Sequence, residues 1–447
     1  MTKTRTRPAR RAIAALGALP LAATAMATGA MAQVAPNPNT GALVAAAGGN
    51  PQLASTAAYI GAVCPNITPG SDLRLRCAAA LNASVSAPTL AANALEWLTP
   101  QELLSQSGVV DGAISPATTA VAGRLSALSH IGVGRIASLY RPIVLASAGD
   151  TAGLGGASTP PLQGFFNIVV GAGDKDTDRL ETGYDYDARS ISGGVDYRFS
   201  DQLTAGVSLS YGKTNLDFDA RGGGLRAKTT VGTLYALWTV NDRVQVSALG
   251  AYGDIDYVSD RAITYAEPGT ATVNRIAHGK TNGKQWEGTV TVTYAMDGKD
   301  GWSYGPSLAV SARTLDLDAF DETGALGLNL HYDKQSADSL QLIAGFDVSK
   351  AVSTQAGILS PYARIQGIYE TKDDSRNVRI RYVADSTGFF QGIRLTTSAP
   401  DRTRFLLGGG LAAQFTGGWS AFIDGETLIG LRDVTSYNAT LGVRKEF

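Results

Sequence analysis

Residues 203–211 read LTAGVSLSY, and this stretch decides the fold class of the chain. Its apolar and aromatic residues fall on every second position, with small or polar ones between them, namely Thr204, Gly206, Ser208 and Ser210. Successive side chains of a β-strand point to opposite faces of the sheet, so a period of two predicts a strand with one apolar and one polar face. The stretches 195–199, 286–294 and 419–426 repeat this alternation.

Twelve segments of this kind lie between Gly164 and Phe447, and the connections between them alternate in length. Short polar connections occur at 200–202, 241–242, 297–301, 353–355 and 416–418. Long connections occur at 173–183, 213–225, 259–283, 316–336 and 372–401. Outer-membrane barrels have short periplasmic turns and longer external loops. The sequence therefore predicts an all-β transmembrane barrel of 12 antiparallel strands over residues 164–447, preceded by a small, mainly α-helical N-terminal segment.

The composition excludes several other classes of protein. No apolar run of 18 residues follows the first 35 residues, which excludes a helical membrane protein. A soluble β-sandwich is the alternative fold for these strands. However, the positions on their polar face are rich in Gly, Ser, Thr and charged residues, which would make a poor sandwich core. The 38 Lys and Arg residues nearly balance the 39 Asp and Glu residues, so we expect no nucleic-acid partner.

The N-terminus has the layout of a signal peptide. Residues 1–32 begin with basic residues, continue with an apolar stretch and end in Ala30-Met31-Ala32 before Gln33. This layout predicts export and cleavage after Ala32. Together with the barrel, it predicts the cell outer membrane as the location of the mature chain.

The region between the signal peptide and the first strand changes character along its length. The start of residues 33–118 is rich in Ala, Pro, Ser and Thr, and we expect a flexible leader there. Helical signals follow, with Ser71 as a helix cap and a capping box at Thr99-Pro100-Gln101-Glu102. Residues 119–163 contain apolar residues at helical spacing and then a linker rich in Gly, Ser and Pro.

The N-terminal segment contains few residues that could carry chemistry. Residues 33–118 contain no histidine, which excludes a Ser-His-Asp hydrolase and a zinc site there. Cys64 and Cys77 are the only cysteines of an exported chain, so we expect a disulfide, with two free thiols as the alternative. No cofactor or phosphate motif occurs. We therefore predict that the chain is not an enzyme and has no catalytic residue, cofactor or metal.

Charged residues lie on the polar face of several predicted strands. This face lines the lumen of a barrel, so we expect these side chains to hydrate the pore or to hold a plug. They are Asp196, Arg198, Glu287, Arg313, Arg364, Asp424 and Glu426. Asp424 and Glu426 share one strand face without a Ser-His partner, and we assign them no catalytic role.

The end of the chain and its first hairpin carry a family resemblance. The last strand resembles the signal by which bacterial outer-membrane barrels are recognised for assembly, although Lys445 departs from the usual apolar residue. The residues of this signal are Tyr437, Leu441, Val443 and Phe447. Residues 183–203 look like the second and third strands of type V autotransporter barrels. With the signal peptide and a helix before the first strand, the chain resembles an autotransporter translocator domain from about Thr119 to Phe447.

The resemblance implies a mechanism and a set of partners. The barrel inserts into the membrane, the helix before the first strand occupies the pore, and the preceding segment is exported to the cell surface. The implied plug helix contains Val121, Arg124, Leu125 and Leu128, and the alternative is a helix packed in a small periplasmic domain. The implied partners of a monomeric barrel are the barrel assembly machinery, periplasmic chaperones, and outer-membrane lipids with lipopolysaccharide.

Two functions follow as hypotheses. The first is a translocator that displays a short, non-enzymatic passenger formed by residues 33–118. The second is a stand-alone outer-membrane channel or structural barrel whose helical domain stays in the periplasm. Exposure of residues 33–118 at the cell surface distinguishes the first from the second.

Overall fold

The computed structural model describes residues 36–106 and 161–447, apart from positions 220, 270, 271, 373, 386, 388–391, 400 and 416. Twelve long strands, β1 to β12, form one closed antiparallel barrel, as the alternation predicted. In chain order they are Leu162–Lys175, Tyr184–Arg198, Leu203–Phe218, Gly223–Thr239, Val244–Tyr265, Val273–Tyr294, Trp302–Leu317, Gln335–Lys350, Gly357–Glu370, Thr403–Phe415, Trp419–Ile429 and Val434–Glu446. Each strand pairs with its chain neighbours, and β1 pairs with β12 to close the ring.

The two ends of the barrel differ in their connections. The end that carries the short turns, which we call the turn end, also holds both ends of the barrel sequence, and the N–H of Phe447 donates to the carbonyl of Leu162 at 3.1 Å. Two short strands, Met296–Asp297 and Val352–Thr354, extend turns there. The opposite end, which we call the loop end, carries the longer connections between strands.

The outward face of the strands forms an apolar belt. Leu209 is 64% exposed and Trp286 is 50% exposed, as expected for side chains that face lipid. Polar residues of the same strands, such as Ser208, point inward and are buried. The predicted assignment of apolar and polar faces is therefore correct within the belt.

Towards the loop end, the alternation keeps its period but exchanges its faces. On β3 the outward residues become Lys213 and Asp217, while the inward Leu216 and Phe218 are 1% and 6% exposed. Strands β5 and β6 have 22 residues each, about twice the length that crosses a bilayer as a strand. The loops predicted at 213–225 and 259–283 are wrong for this reason, because most of their residues continue strands beyond the lipid.

A helical domain, residues 36–106, precedes the barrel. Its helices are α1 (Thr40–Ala46), α2 (Pro51–Val63), α3 (Asp72–Ser86) and α4 (Pro88–Leu98), followed by a 3-10 helix at Gln101–Gln106. None of the described helices is long and apolar enough to cross a membrane. The prediction of a flexible leader is wrong from residue 36 onward, because α1 and α2 occupy that part of the chain.

The local signals for these helices are caps. The side chain of Asn50 accepts hydrogen bonds from the N–H groups of Gln52 and Leu53, and Pro51 takes the first helical position of α2. Ser71 caps α3, as the sequence predicted. The predicted capping box at residues 99–102 is wrong. Thr99 ends α4 instead, and its hydroxyl donates to the carbonyl of Leu95 at 2.7 Å.

The two longest loops fold together. Four short strands from the connections after β7 and β9 form a second sheet, which we call the loop sheet. They are Phe320–Asp321, Leu330–Tyr332, Asn377–Tyr382 and Ile393–Thr396. The loop sheet gives the loop end a folded surface on which other elements can pack.

Candidate functional site

The helical domain packs on the loop end of the barrel. Helix α2 contacts the strand Ile393–Thr396, α4 contacts β5, and α3 contacts a short 3-10 helix at Leu326–Leu328. The connections after β1, β3, β5, β7 and β9 each supply at least one hydrogen bond or ion pair to this interface. We call these contacts the docking interface, and they form the candidate functional site.

An ion pair holds the N-terminal end of α3. Arg275, near the start of β6, donates to both carboxylate oxygens of Asp72, from Nη1 to Oδ2 at 2.5 Å and from Nη2 to Oδ1 at 2.7 Å. The N–H of Gly327 donates to the same Oδ2 at 3.0 Å. Arg76, one turn later, pairs with Glu267 in the connection after β5. The hydrogen bonds from Arg275 keep the pKa of Asp72 below its ordinary value, so this carboxylate is ionised at neutral pH.

Arg221, in the connection after β3, holds the C-terminal end of α4. Its Nη1 donates to the carbonyl of Glu96 at 2.6 Å and to that of Thr99 at 3.3 Å. A cation is favourable there because the last carbonyls of a helix lack partners within the helix. Nη1 also lies 3.4 Å from a carboxylate oxygen of Glu102, which is 2% exposed. Burial raises the pKa of Glu102, and the charge of Arg221 partly opposes that rise.

The start of α2 pairs with the loop sheet through an amide. Gln52 is 2% exposed, its Nε2 donates to the carbonyl of Thr396 at 2.5 Å, and its Oε1 accepts from the N–H of Thr396 at 3.1 Å. The side chain thus satisfies an edge residue of the loop sheet as a neighbouring strand would. Asn50 donates to the carbonyl of Arg179 at 3.1 Å, and Arg179 donates to that of Gly49.

Two buried polar pairs lie within the interface and the strands beneath it. Arg261 of β5 and Glu322 after β7 form an ion pair with an N–O distance of 2.6 Å, with side chains 1% and 0% exposed. The hydroxyl of Tyr59 on α2 donates to Asp385 at 2.6 Å. Buried charges require such partners because an unpaired ion is costly to remove from water. Both pairs therefore fix the positions of the loops that contact the helices.

The apolar side chains of the helical domain share one core with the barrel mouth. Residues of all four helices, the inward residues of the strands near the loop end and the loop sheet form a single buried cluster. Its least exposed members include Leu43, Ile60, Leu73, Leu95, Tyr257, Ile263 and Tyr332. Burial of this kind stabilises by about 25 cal/mol per Å² of apolar surface. The docking interface is therefore a hydrophobic core with a polar rim.

The structure joins Cys64 and Cys77 in a disulfide. Their Cα atoms lie 5.8 Å apart, and both residues are buried in the shared core. The bond connects the end of α2 to α3 and closes the loop that contains the cap Ser71. The pairing is the one expected for an exported chain.

Among the lumen residues predicted from sequence, three form an ion cluster. Arg364 on β9 donates to both oxygens of Asp424, at 2.8 and 2.7 Å, and to Glu426 at 2.8 Å. The hydroxyl of Tyr362 donates to Asp424 at 2.7 Å. These side chains point inward, and those of Arg364, Asp424 and Glu426 are at most 10% exposed. The cluster bridges β9 and β11 across the interposed β10.

The other predicted lumen residues are placed in two separate positions. Asp196 is 1% exposed and accepts a hydrogen bond from the hydroxyl of Tyr235 at 3.2 Å, with Arg198 two residues further along β2. Glu287 on β6 lies directly opposite Arg313 on β7. In the part of the chain that the structure describes, no group of three or more His, Cys, Asp or Glu side chains could hold a metal ion.

The predicted plug helix and the predicted assembly signal are the two remaining sets of residues. The residues of the predicted plug helix, Val121, Arg124, Leu125 and Leu128, lie outside the described residues. The residues of the predicted assembly signal all lie on the outward face and are 40% to 67% exposed, namely Tyr437, Leu441, Val443 and Phe447. Their outward placement is that of a lipid-facing row on the last strand.

Sequence reasoning missed the residues that make the docking interface. Arg221, Arg275 and Gln52 show no periodic signal, and they meet their partners across 122, 203 and 344 positions of the chain. A usable signal was the inverted alternation from Leu216 onward, because buried apolar residues at a barrel mouth require something to cover them.

Comparison with known proteins gives a family match and distant relatives. Residues 164–426 match the family model described as the autotransporter β-domain. The chain is 24% identical over 222 residues to the esterase EstA of Pseudomonas aeruginosa and, equally, to that of Pseudomonas putida. These matches cover 48% of this chain and 33% of the relatives, so the chain spans about a third of the length of the curated relatives it matches.

Two solved structures are similar to this chain. The translocator domain of the autotransporter NalP from Neisseria meningitidis matches with a TM-score of 0.50 and 15% identity, over 64% of this chain and 89% of that one. The β-domain of the Bordetella autotransporter BrkA matches with a TM-score of 0.44 and 15% identity, over 64% and 99% of the two chains. The similarity to NalP concerns the fold.

Proposed function

The chain belongs to the autotransporter β-domain family and is an outer-membrane β-barrel translocator, and from this premise we propose that its helical domain is a short passenger. The barrel exports this passenger, displays it at the cell surface and keeps it docked on the loop end. The passenger acts without catalysis, as a folded surface module.

The helices lie on the loop end of the barrel, and this position is the observation that carries the proposal. Asp72, Gln52 and Glu96 contact connections at the loop end, whereas Phe447 and the short turns lie at the turn end. Outer-membrane barrels direct their short turns to the periplasm and their longer connections outward. A passenger docked on the loop end is therefore on the external side, which supports display over a periplasmic helical domain.

The docking interface also supports retention of the passenger. An apolar core with a polar rim that includes the Arg76–Glu267 and Arg275–Asp72 ion pairs resembles the interior of a domain more than a transient contact. In addition, undocking would expose the apolar residues of both partners to water, including Leu73 of α3 and Ile263 of β5. We therefore expect the passenger to remain on the barrel whether or not the connecting chain is cut.

The absence of catalysis is part of the proposal and has two supports. Residues 33–118 contain no histidine, so the usual general base of a serine or cysteine hydrolase is missing from this segment. The similarity to the esterase EstA covers only a third of that protein. The translocator domain itself is not a catalytic unit.

Cysteine labelling in intact cells tests the topology. Val85, on the outer face of α3, is 63% exposed, and a Val85→Cys variant offers a thiol without disturbing the core. The native cysteines do not compete because they are joined to each other. We expect a membrane-impermeant maleimide to label this variant in intact cells.

The matched control is a Ser200→Cys variant, whose thiol lies in an exposed turn at the turn end. It should be labelled only after the outer membrane is opened. If Val85→Cys instead needs the same opening, the passenger hypothesis fails and the periplasmic alternative is correct. The heat-dependent gel mobility of both variants shows that their barrels are folded.

A further inference from the structure

A row of basic side chains crosses the outer face of the barrel near the loop end. Arg189 of β2 lies directly opposite Lys213 of β3, and Lys213 lies directly opposite Lys228 of β4. All three side chains are exposed. Their inward neighbours Ser190, Thr214 and Ala227 are buried, which places the basic row on the side of the barrel that faces lipid and solvent.

The basic row begins where the apolar belt ends. Ile191 and Tyr211, both on the outward face, are 48% and 42% exposed and lie two residues closer to the turn end than Arg189 and Lys213. Lys213 Nζ lies 5.9 Å from the ring centroid of Tyr211. Aromatic residues at such positions mark the membrane interface of barrels. The row is therefore at the height of the lipid headgroups.

Like charges in direct cross-strand register destabilise a sheet unless an opposite charge compensates them. Arg189 has partial compensation from Asp187, with an N–O distance of 3.7 Å, and both side chains are largely exposed. Within the described ranges, neither Lys213 nor Lys228 forms an ion pair with a carboxylate of the chain. Arg226, the next outward residue on β4, is paired with Asp260 at 2.8 Å. Asp256 of β5 lies directly opposite Lys228 and ends the basic row on that side, so Lys213 is the member of the row with basic residues opposite it on both neighbouring strands.

From this register we propose that Arg189, Lys213 and Lys228 bind the phosphate groups of a phosphorylated glycolipid, lipopolysaccharide, in the outer leaflet. The lipid chains lie against the belt below, at Ile191, Leu209 and Tyr211, while the phosphates accept charge-assisted hydrogen bonds from the basic row. Lysine and arginine are the side chains that recognise phosphate in this way. The site thus combines an apolar half with a basic half, which match the lipid chains and the phosphates of one amphipathic lipid.

The inference rests on the orientation given in the proposed function, with the loop end outside. Its test does not require export, because the full chain can be refolded in an uncharged sugar detergent and supplied with purified lipopolysaccharide. A failure of lipid binding in this assay leaves the cell-labelling result untouched, and a failure of labelling leaves the binding result untouched.

The variant is Lys213→Gln with Lys228→Gln, which keeps side-chain length and removes both charges. Because a basic residue at an anionic surface contributes about 1 kcal/mol, we expect the pair to weaken lipopolysaccharide binding about 30-fold in a titration followed by native mass spectrometry. The matched control is Lys350→Gln, whose side chain lies near the turn end over the ring of Trp302 and should leave binding unchanged.

Two ligand arms identify what is recognised. Lipopolysaccharide from which the lipid phosphates have been removed should bind the wild-type chain as weakly as intact lipopolysaccharide binds the double variant. Inorganic phosphate should not compete at millimolar concentration if the lipid chains contribute. Equal binding of intact and dephosphorylated lipid, or equal loss in the Lys350→Gln control, would overturn the proposal, and competition by free phosphate would replace the lipid site by a general anion site.

A stability measurement gives a second readout with a change of sign. In uncharged detergent a Lys213→Gln variant should unfold at a higher temperature than the wild type, because it removes the charge that lies directly opposite the like charges of Arg189 and Lys228. With lipopolysaccharide present the order should reverse. If the order is the same in both conditions, the basic row does not bind the lipid.

Discussion

The carboxylate of Asp72 on α3 and the guanidinium of Arg275 on β6 face each other with two hydrogen bonds of 2.5 and 2.7 Å, across 203 positions of the chain. This pair joins the helical domain to the barrel. Its geometry is bidentate, and it lies at the rim of a buried apolar core, where an ion pair is partly shielded from water. The pair therefore reports directly on docking.

Removal of the charge should loosen the helical domain without affecting the barrel. For Asp72→Asn we expect docking to weaken by about 1.5 kcal/mol, because a charge-assisted bidentate contact becomes a neutral one. The measurement is the urea concentration at which residues 36–106 lose protection from protease in detergent. Asp338→Asn is the matched control, since the Asp338–Lys372 pair is exposed and should contribute at most about 0.5 kcal/mol. Equal effects of the two variants would contradict a role for Asp72 in docking.

The same pair predicts a pH dependence of docking. The folded pKa of Asp72 is lowered from 3.8 by the hydrogen bonds of Arg275, so the ionised form is the one that docks. The stabilisation is fully present above pH 3.8 and is lost as the pH falls through the lower, folded pKa. The buried Glu102 has a raised pKa and acts with the opposite sign above pH 4.5. The difference between wild-type and Asp72→Asn docking curves isolates Asp72, and it should be constant at neutral pH and shrink below pH 3.8. A difference that does not depend on pH would refute this assignment.

The disulfide should contribute to the stability of the helical domain. It links residues 13 positions apart, and closure of a loop of this size stabilises by about 3 kcal/mol in the chain-entropy account. A Cys64→Ser, Cys77→Ser variant should therefore lose protease protection at lower urea. Wild-type protein treated with reductant should behave like the variant, while its barrel keeps its heat-dependent gel mobility. An unchanged urea midpoint would show that the bond does not constrain the docked domain.

In the lumen, the ion cluster around Arg364 predicts an asymmetry between single and combined substitutions. Arg364→Met leaves Asp424 and Glu426 inward and uncompensated, and we expect a loss of about 3 kcal/mol in barrel stability. Adding Asp424→Asn and Glu426→Gln should recover most of that loss, because the remaining side chains are neutral. Heat-dependent gel mobility measures the effect, and a triple variant as unstable as the single one would contradict the ion-pair interpretation.

The architecture of the barrel could be predicted because the membrane imposes its pattern on every strand. A lipid-facing strand such as residues 203–211 must alternate, and twelve alternating strands with unequal connections leave few other folds. The inward position of Arg364, Asp424 and Glu426 follows from the same rule. Their contact with one another does not, since it depends on the register between β9, β10 and β11.

The docking interface could not be predicted, for two physical reasons. Its contacts join distant segments, such as Gln52 and Thr396, and no local pattern records such pairs. The strands also exchange their apolar and polar faces beyond the belt. Polar residues such as Lys213 and Asp217 then occupy outward positions that are apolar within the belt, and they therefore indicated a loop. The environment of the two faces is exchanged there. Outside the membrane, water contacts the outward face of the strands, while the helices cover the inward face with apolar side chains.

This reversal makes a prediction on a single strand. Leu209 and Leu216 both belong to β3, but Leu209 points outward in the belt and is 64% exposed, whereas Leu216 points inward at the loop end and is 1% exposed. Leu209→Arg should destabilise the barrel by about 2 to 4 kcal/mol, because it places a charge in lipid. Leu216→Ala should weaken docking by about 3 kcal/mol through lost burial and a cavity, and it should leave the barrel intact.

The two assays separate these effects, since gel mobility reports on the barrel and protease protection reports on docking. We expect Leu209→Arg to change the first and Leu216→Ala to change the second. Had the alternation continued unchanged from the belt, both leucines could not have had apolar surroundings, because they lie seven residues apart and therefore on opposite faces. Damage to the barrel by Leu216→Ala with no change in docking would show that the inward face at the loop end supports the strands rather than the helices. Selective loss of docking would show that the barrel mouth and the helical domain share one core.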